Sequence, residues 1–85
     1  MRYFFFIVLL AGCDTTVEQT AACEEWVSCI DARDEQLGIT TNNDRFLAGG
    51  PCWNNPEIGD LCDLACINGL EQMQTMYNDL PQECL

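Results

Sequence analysis

Six cysteines between positions 23 and 84 constrain this chain more than any other feature. They are Cys23, Cys29, Cys52, Cys62, Cys66 and Cys84, while a seventh, Cys13, stands apart near the start. An even set in a short exported chain reads as a disulfide framework. The need for one is physical. A domain of this size buries too little apolar surface to be comfortably stable unaided. Three bridges at roughly 2–4 kcal/mol each are comparable to the whole stability of a typical domain.

Cys13 ends a different kind of segment. Residues 3–10, YFFFIVLL, form an uninterrupted apolar run that follows Arg2 and precedes the small residues Ala11 and Gly12. The run is far too short to cross a bilayer as a mature helix, which takes roughly 20 apolar residues. It matches the apolar core of a secretory signal peptide. The motif Leu10-Ala11-Gly12-Cys13 resembles the lipobox of bacterial lipoproteins, a resemblance that covers only the first 13 residues. It implies that the Cys13 thiol receives a diacylglyceryl group, that cleavage falls between Gly12 and Cys13, and that the new amino group is acylated, with palmitate as a typical chain. The expected organisation is then a signal peptide over 1–12, a lipidated cysteine and short tether over 13–16, and a cysteine-rich helical domain over 17–85. The expected address is a bacterial cell membrane or outer membrane, with the domain facing the periplasm or exterior. Acylated Cys13 makes the bilayer itself a partner. Each buried methylene contributes about 0.8 kcal/mol, so one chain binds reversibly and two or three hold firmly. Asp14 resembles the inner-membrane retention signal of enteric bacteria.

Charge narrows the partners further. All 14 acidic residues follow Cys13, against only Arg33 and Arg45, and the sequence contains no Lys and no His. At a net charge of −11, binding to nucleic acid or anionic lipid through a basic patch is excluded as a class. The acidity keeps a small exported domain soluble, and it also permits steering toward a cationic protein partner.

The remaining pattern is helical, with no alternating β-branched run after Cys13. Thr15 with Glu18, or Thr16 with Gln19, reads as a capping box that opens a helix over about residues 16–36. Ala22, Trp26, Ile30, Arg33 and Leu37 fall in one stripe at 3.6-residue spacing, and Gly38 closes the helix. Cys23 and Cys29 flank that stripe on opposite sides, so they cannot both face one line on one partner. Residues 38–59 carry the turn formers, with a short helical turn predicted near residues 43–48 under a Thr41 or Asn42 cap. Cys52 pins this long connection, and Trp53 beside it acts as a lid on the small core. A second helix starts after either Asn55 or Asp60 and runs to about Asp79. Cys62, Cys66, Leu70, Met73, Tyr77 and Leu80 make its packing seam. Leu61 and Leu64 point away from that seam and are expected to support the middle loop. Pro81 ends the helix, leaving Cys84 on a short tail.

The expected fold is therefore all-α: a small, disulfide-stapled antiparallel helical hairpin with a long pinned loop. In that arrangement Cys84 returns near the start of the first helix. The expected pairs are Cys23 with Cys84, Cys29 with Cys66, and Cys52 with Cys62. "CEEWVSC", "GGPCW", "CDLAC" and the terminal "PQEC" resemble a group of short six-cysteine lipoproteins in myxobacterium-like genomes. The resemblance covers most of the chain after Cys13, supports the same fold and address, and brings no activity with it.

Little else points to chemistry. Without histidine there is no hydrolytic triad, no imidazole base and no His-ligated metal. Ser28 is the only serine, and no base is recognisable beside it. Cys62 and Cys66 are spaced to share a zinc ion, but in an oxidising compartment two structural disulfides are the simpler use. Asn42, Asn43, Asp44, Asp60 and Asp63 offer oxygen ligands without the calcium-loop pattern. No cofactor and no metal are expected. The sequence thus leads to a non-catalytic, membrane-anchored envelope lipoprotein acting as a structural or interaction module. The alternative is an acidic inhibitor or sequestering binder of a cationic envelope or secreted protein.

Overall fold

A computed structural model describes residues 16–85, and every described regular element is helical. Two α-helices, α1 (Ala21–Leu37) and α2 (Pro56–Met76), carry the domain, with 3₁₀ turns at Asp44–Phe46, Pro51–Trp53 and Gln82–Cys84.

Local chemistry sets most of the helix ends. Gly38 adopts φ 70°, and its amide donates to the Asp34 carbonyl, which also accepts from Ile39 at 3.0 Å. A left-handed residue closing the last turn is the usual office of glycine. Asn55 caps α2, its Oδ1 accepting from the Ile58 amide at 2.9 Å, with Pro56 in the first turn. Of the two expected starts, the one after Asn55 is therefore realised.

The start of α1 differs from expectation. Thr20 is the N-cap, accepting from the Cys23 amide at 3.4 Å, and the helix begins at Ala21 rather than near residue 16. The reason is tertiary. The Val17 amide donates to the Trp53 carbonyl at 2.8 Å, and the Gln19 side-chain amide donates to the Phe46 carbonyl at 2.8 Å. Residues 17–19 are thus committed to the middle segment and unavailable for a first helical turn.

The hairpin is also corrected, because α1 and α2 run in the same sense. Cys23 bonds to Cys66, Trp26 lies over Gly69, and Arg33 reaches Met73 and Tyr77. Position numbers rise together along both helices, as only a parallel pair allows. The cause is the connection. A helix of 17 residues is about 25 Å long, and residues 38–46 carry the chain back along it to the Gln19 end. Antiparallel neighbours need only roughly 2–8 connecting residues.

This direction reassigns the disulfides. Cys23 pairs with Cys66, Cys29 with Cys84, and Cys52 with Cys62. The last pair matches expectation, while Cys23 and Cys29 exchange the partners expected for them. With α2 parallel, its C-terminal end lies beside that of α1. The tail then has to turn back only as far as Cys29. That return also shortens α2, which stops at Met76 instead of Asp79, with Tyr77 extended at φ −128° and ψ 148°.

The core has two parts. Cys23, Cys52, Trp53 and Cys66 form one, supported by Val17, Ala22, Phe46 and Cys62. Cys29, Leu70 and Cys84 form the other, with Met73 and Leu80. Trp26 packs against both. Trp53 exceeds the expected lid: it is 2% exposed and sits inside the first cluster. Leu61 and Leu64 support nothing, being 68% and 55% exposed.

Trp26 reaches both clusters because α2 has no side chain at Gly69. A Cβ there would lie 2.8 Å from the Trp26 ring. Gly to Ala inside a helix ordinarily stabilises by roughly 0.5–1 kcal/mol. Here the sign should reverse: Gly69→Ala is expected to destabilise by about 1–3 kcal/mol through overpacking. Thermal unfolding of the variant checks this, and a raised midpoint would refute the close approach.

Candidate functional site

Cys13 and the Gly12–Cys13 cleavage point lie outside the described residues, as does Asp14. The other six cysteines are all engaged with one another. Cys23, Cys29 and Cys84 are 0% exposed, Cys66 is 1% and Cys52 is 2%. Cys62 alone is half-buried. It lines a shallow open hollow with Arg45, Pro51, Asn54 and Ile58. The i, i+4 pair Cys62 and Cys66 that could share zinc is divided between two disulfides. Among the described residues no three of His, Cys, Asp or Glu converge into a metal-binding group.

The oxygen-bearing loop residues are put to local use. Asn42 Oδ1 accepts from the Asp44 amide at 3.0 Å and shapes the turn that follows. This is the side-chain turn that Asn favours. Asn43 is 9% exposed, and its Nδ2 has no hydrogen-bond partner. Thr41 turns instead toward α1, its amide and hydroxyl both donating to the Asp34 carboxylate at 2.7 and 2.9 Å.

That double contact folds the chain after Gly38 against α1 and builds one wall of an open cleft of about 620 Å³. Its polar lining includes Ser28, Asp31, Asp34, Glu35, Thr41 and Glu83. Glu83 arrives because the Cys29–Cys84 bond draws the C-terminal turn onto α1. Four carboxylates therefore share one concave surface, and none of the residues lining it is basic. Asp34 is held in place by Thr41, while Asp31, Glu35 and Glu83 remain exposed to solvent.

No known protein family, curated protein or solved structure matches the chain.

Neither Arg33 nor Arg45 lines the acidic cleft. Arg33 donates to Met73 Sδ at 3.5 Å, and its guanidinium lies 4.1 Å from the centre of the Tyr77 ring. Arg45 lies 5.7 Å from the Phe46 ring. Both use the cation–aromatic attraction, so the positive charge of the domain serves packing. Ser28, the only serine, opens into the acidic cleft, where neighbouring carboxylates suit recognition of positive charge. The cleft is not legible in the sequence, because Glu83 joins Asp31 and Glu35 only through the Cys29–Cys84 bond. No described helix is long and apolar enough to cross a membrane.

Proposed function

We propose that the chain is a membrane-anchored, non-catalytic bacterial envelope lipoprotein whose helical domain serves as a structural or interaction module. The observation that carries this reading is the cysteine count. Six of the seven cysteines close three disulfides, and the one left over stands in Leu10-Ala11-Gly12-Cys13, directly behind an apolar run. A lipid on Cys13 accounts for the odd thiol and for the run before it. Two or more acyl chains would hold the domain at the surface, and its acidity would keep it from lying flat on anionic lipid.

The acidic cleft favours a second reading within the same class, in which the module sequesters a cationic envelope or secreted protein. Asp31, Asp34, Glu35 and Glu83 would steer such a partner and lose their hold as salt rises.

The test of the anchor is the intact mass of the protein isolated from its own membrane, measured before and after reduction and alkylation. The expected result is a chain beginning at Cys13 with a diacyl or triacyl increment and no alkylatable thiol before reduction. A chain that retains residues 1–12, or an unacylated Cys13, would overturn the lipoprotein reading.

A further inference from the structure

We propose that the outward face of α2 is a docking surface for a cationic amphipathic helix. Leu61 and Leu64 stand at its centre, 68% and 55% exposed, with Ile58 and Ile67 at its edges, 42% and 39% exposed. These residues occupy the side of α2 turned from the Cys66–Leu70–Met73 seam, where nothing in the domain covers them. Glu57, Asp60 and Glu71 are exposed on the same stretch of helix. Leucines set among carboxylates match a helix that presents an apolar stripe bordered by Lys or Arg.

Charge decides between occupants. A second copy would bring the same carboxylates into the contact, and an anionic bilayer would repel them. Val17 packs on α2 at Gly59, its Cγ2 lying 3.0 Å from where a Cβ would stand. Gly59 and Leu61 point about 160° apart around the helix at 3.6 residues per turn. The described stretch before α1 therefore packs on the side of α2 opposite the leucines and leaves them uncovered. This inference rests on the interaction-module reading and names the class of partner.

The experiment uses the full chain as isolated, held in nanodiscs of zwitterionic lipid, with empty discs as the reference. The probe is a synthetic Leu/Lys amphipathic helix of about 18 residues, long enough for an i, i+3, i+4, i+7 stripe. A scrambled peptide of the same composition and a Leu/Glu helix are the comparators. The expected result is saturable binding of the Leu/Lys helix above empty discs, weakened about tenfold or more by Leu61→Ser with Leu64→Ser, as for loss of central apolar anchors. Binding should also weaken about tenfold between roughly 0.05 M and 0.5 M salt. Both leucines are exposed, so the double variant should retain its helix signal and disulfides, which are checked alongside. Salt-sensitive binding that the double variant leaves unchanged would overturn the α2 face while leaving an acidic interaction module standing. Equal binding of the scrambled peptide would also overturn it. Absence of binding by either cationic peptide would overturn the face and the cationic-partner reading together. The mass measurement on Cys13 reports on the anchor separately.

Discussion

Reduction is expected to take the domain apart in two stages, with Cys52–Cys62 opening first and the helices surviving that step. Cys62 is the only half-buried member of the six, so a thiolate can reach this bridge without unfolding the chain, and access is a main control of exchange rate. The other two bridges join cysteines that are at most 1% exposed, so their reduction requires the core to open. Their contributions differ too. For sequence separations of 10, 43 and 55, chain entropy gives about 3, 4 and 4 kcal/mol respectively. Losing the first leaves a folded domain. Losing all three removes an amount comparable to the ~5–15 kcal/mol of a typical domain, so the fully reduced chain should unfold. Thiol alkylation followed by mass spectrometry, read against far-UV circular dichroism, checks the order. Two alkylated cysteines with full helix signal, then four more together with its loss, is the expected course. A helical protein with all six thiols free, or a buried bridge opening first, would refute the framework.

How much of this was legible in the sequence depended on whether the deciding contact was local. Gly38 and Asn55-Pro56 end and begin helices through bonds to residues within four positions, and both could be read directly. The start of α1 could not, because Val17 and Gln19 are held by Trp53 and Phe46, far along the chain. The disulfide pairing depends on the direction of α2, which no local contact sets. Residues 38–59 read as a long connection, but a connection's length alone does not state the direction of the next helix. A segment long enough to retrace α1 allows the next helix to run parallel, and the Cys23–Cys66 and Cys29–Cys84 pairs go with that direction. The exposure of Leu61 and Leu64 has the same origin. Once the middle segment runs back toward Val17, it lies on the core side of α2, and the opposite face is left uncovered. The acidic cleft is further removed from local pattern, since it exists only where the C-terminal turn meets α1.

Trp53→Ala should be the most damaging single substitution outside the cysteines, lowering stability by about 3–5 kcal/mol. The side chain is 2% exposed among Cys23, Cys52 and Cys66, so truncation leaves a cavity lined partly by disulfides that cannot collapse freely. Its Nε1 donates to the Phe46 carbonyl at 3.2 Å, a carbonyl that also holds Gln19. The backbone of the same residue accepts from Val17. One residue therefore ties the middle segment, the stretch before α1 and the Cys23–Cys66 bridge into one body. Removing the ring should loosen residues 38–55 and residues 17–19 together, while α1 stays joined to α2 through Cys23–Cys66 and to the C-terminal turn through Cys29–Cys84. Trp53→Phe separates the two effects, keeping most of the apolar volume while losing a hydrogen bond worth about 1 kcal/mol. Denaturant unfolding of the oxidised proteins gives the magnitudes. Hydrogen exchange then tests the mechanism: the Val17 amide should lose protection in Trp53→Ala, and amides in the middle of α2 should keep theirs. Stability within about 1 kcal/mol of the parent, below what a cavity of this size costs, would show that Trp53 is peripheral after all. Loss of protection throughout α2 would show instead that the middle segment and the helix pair unfold as one unit.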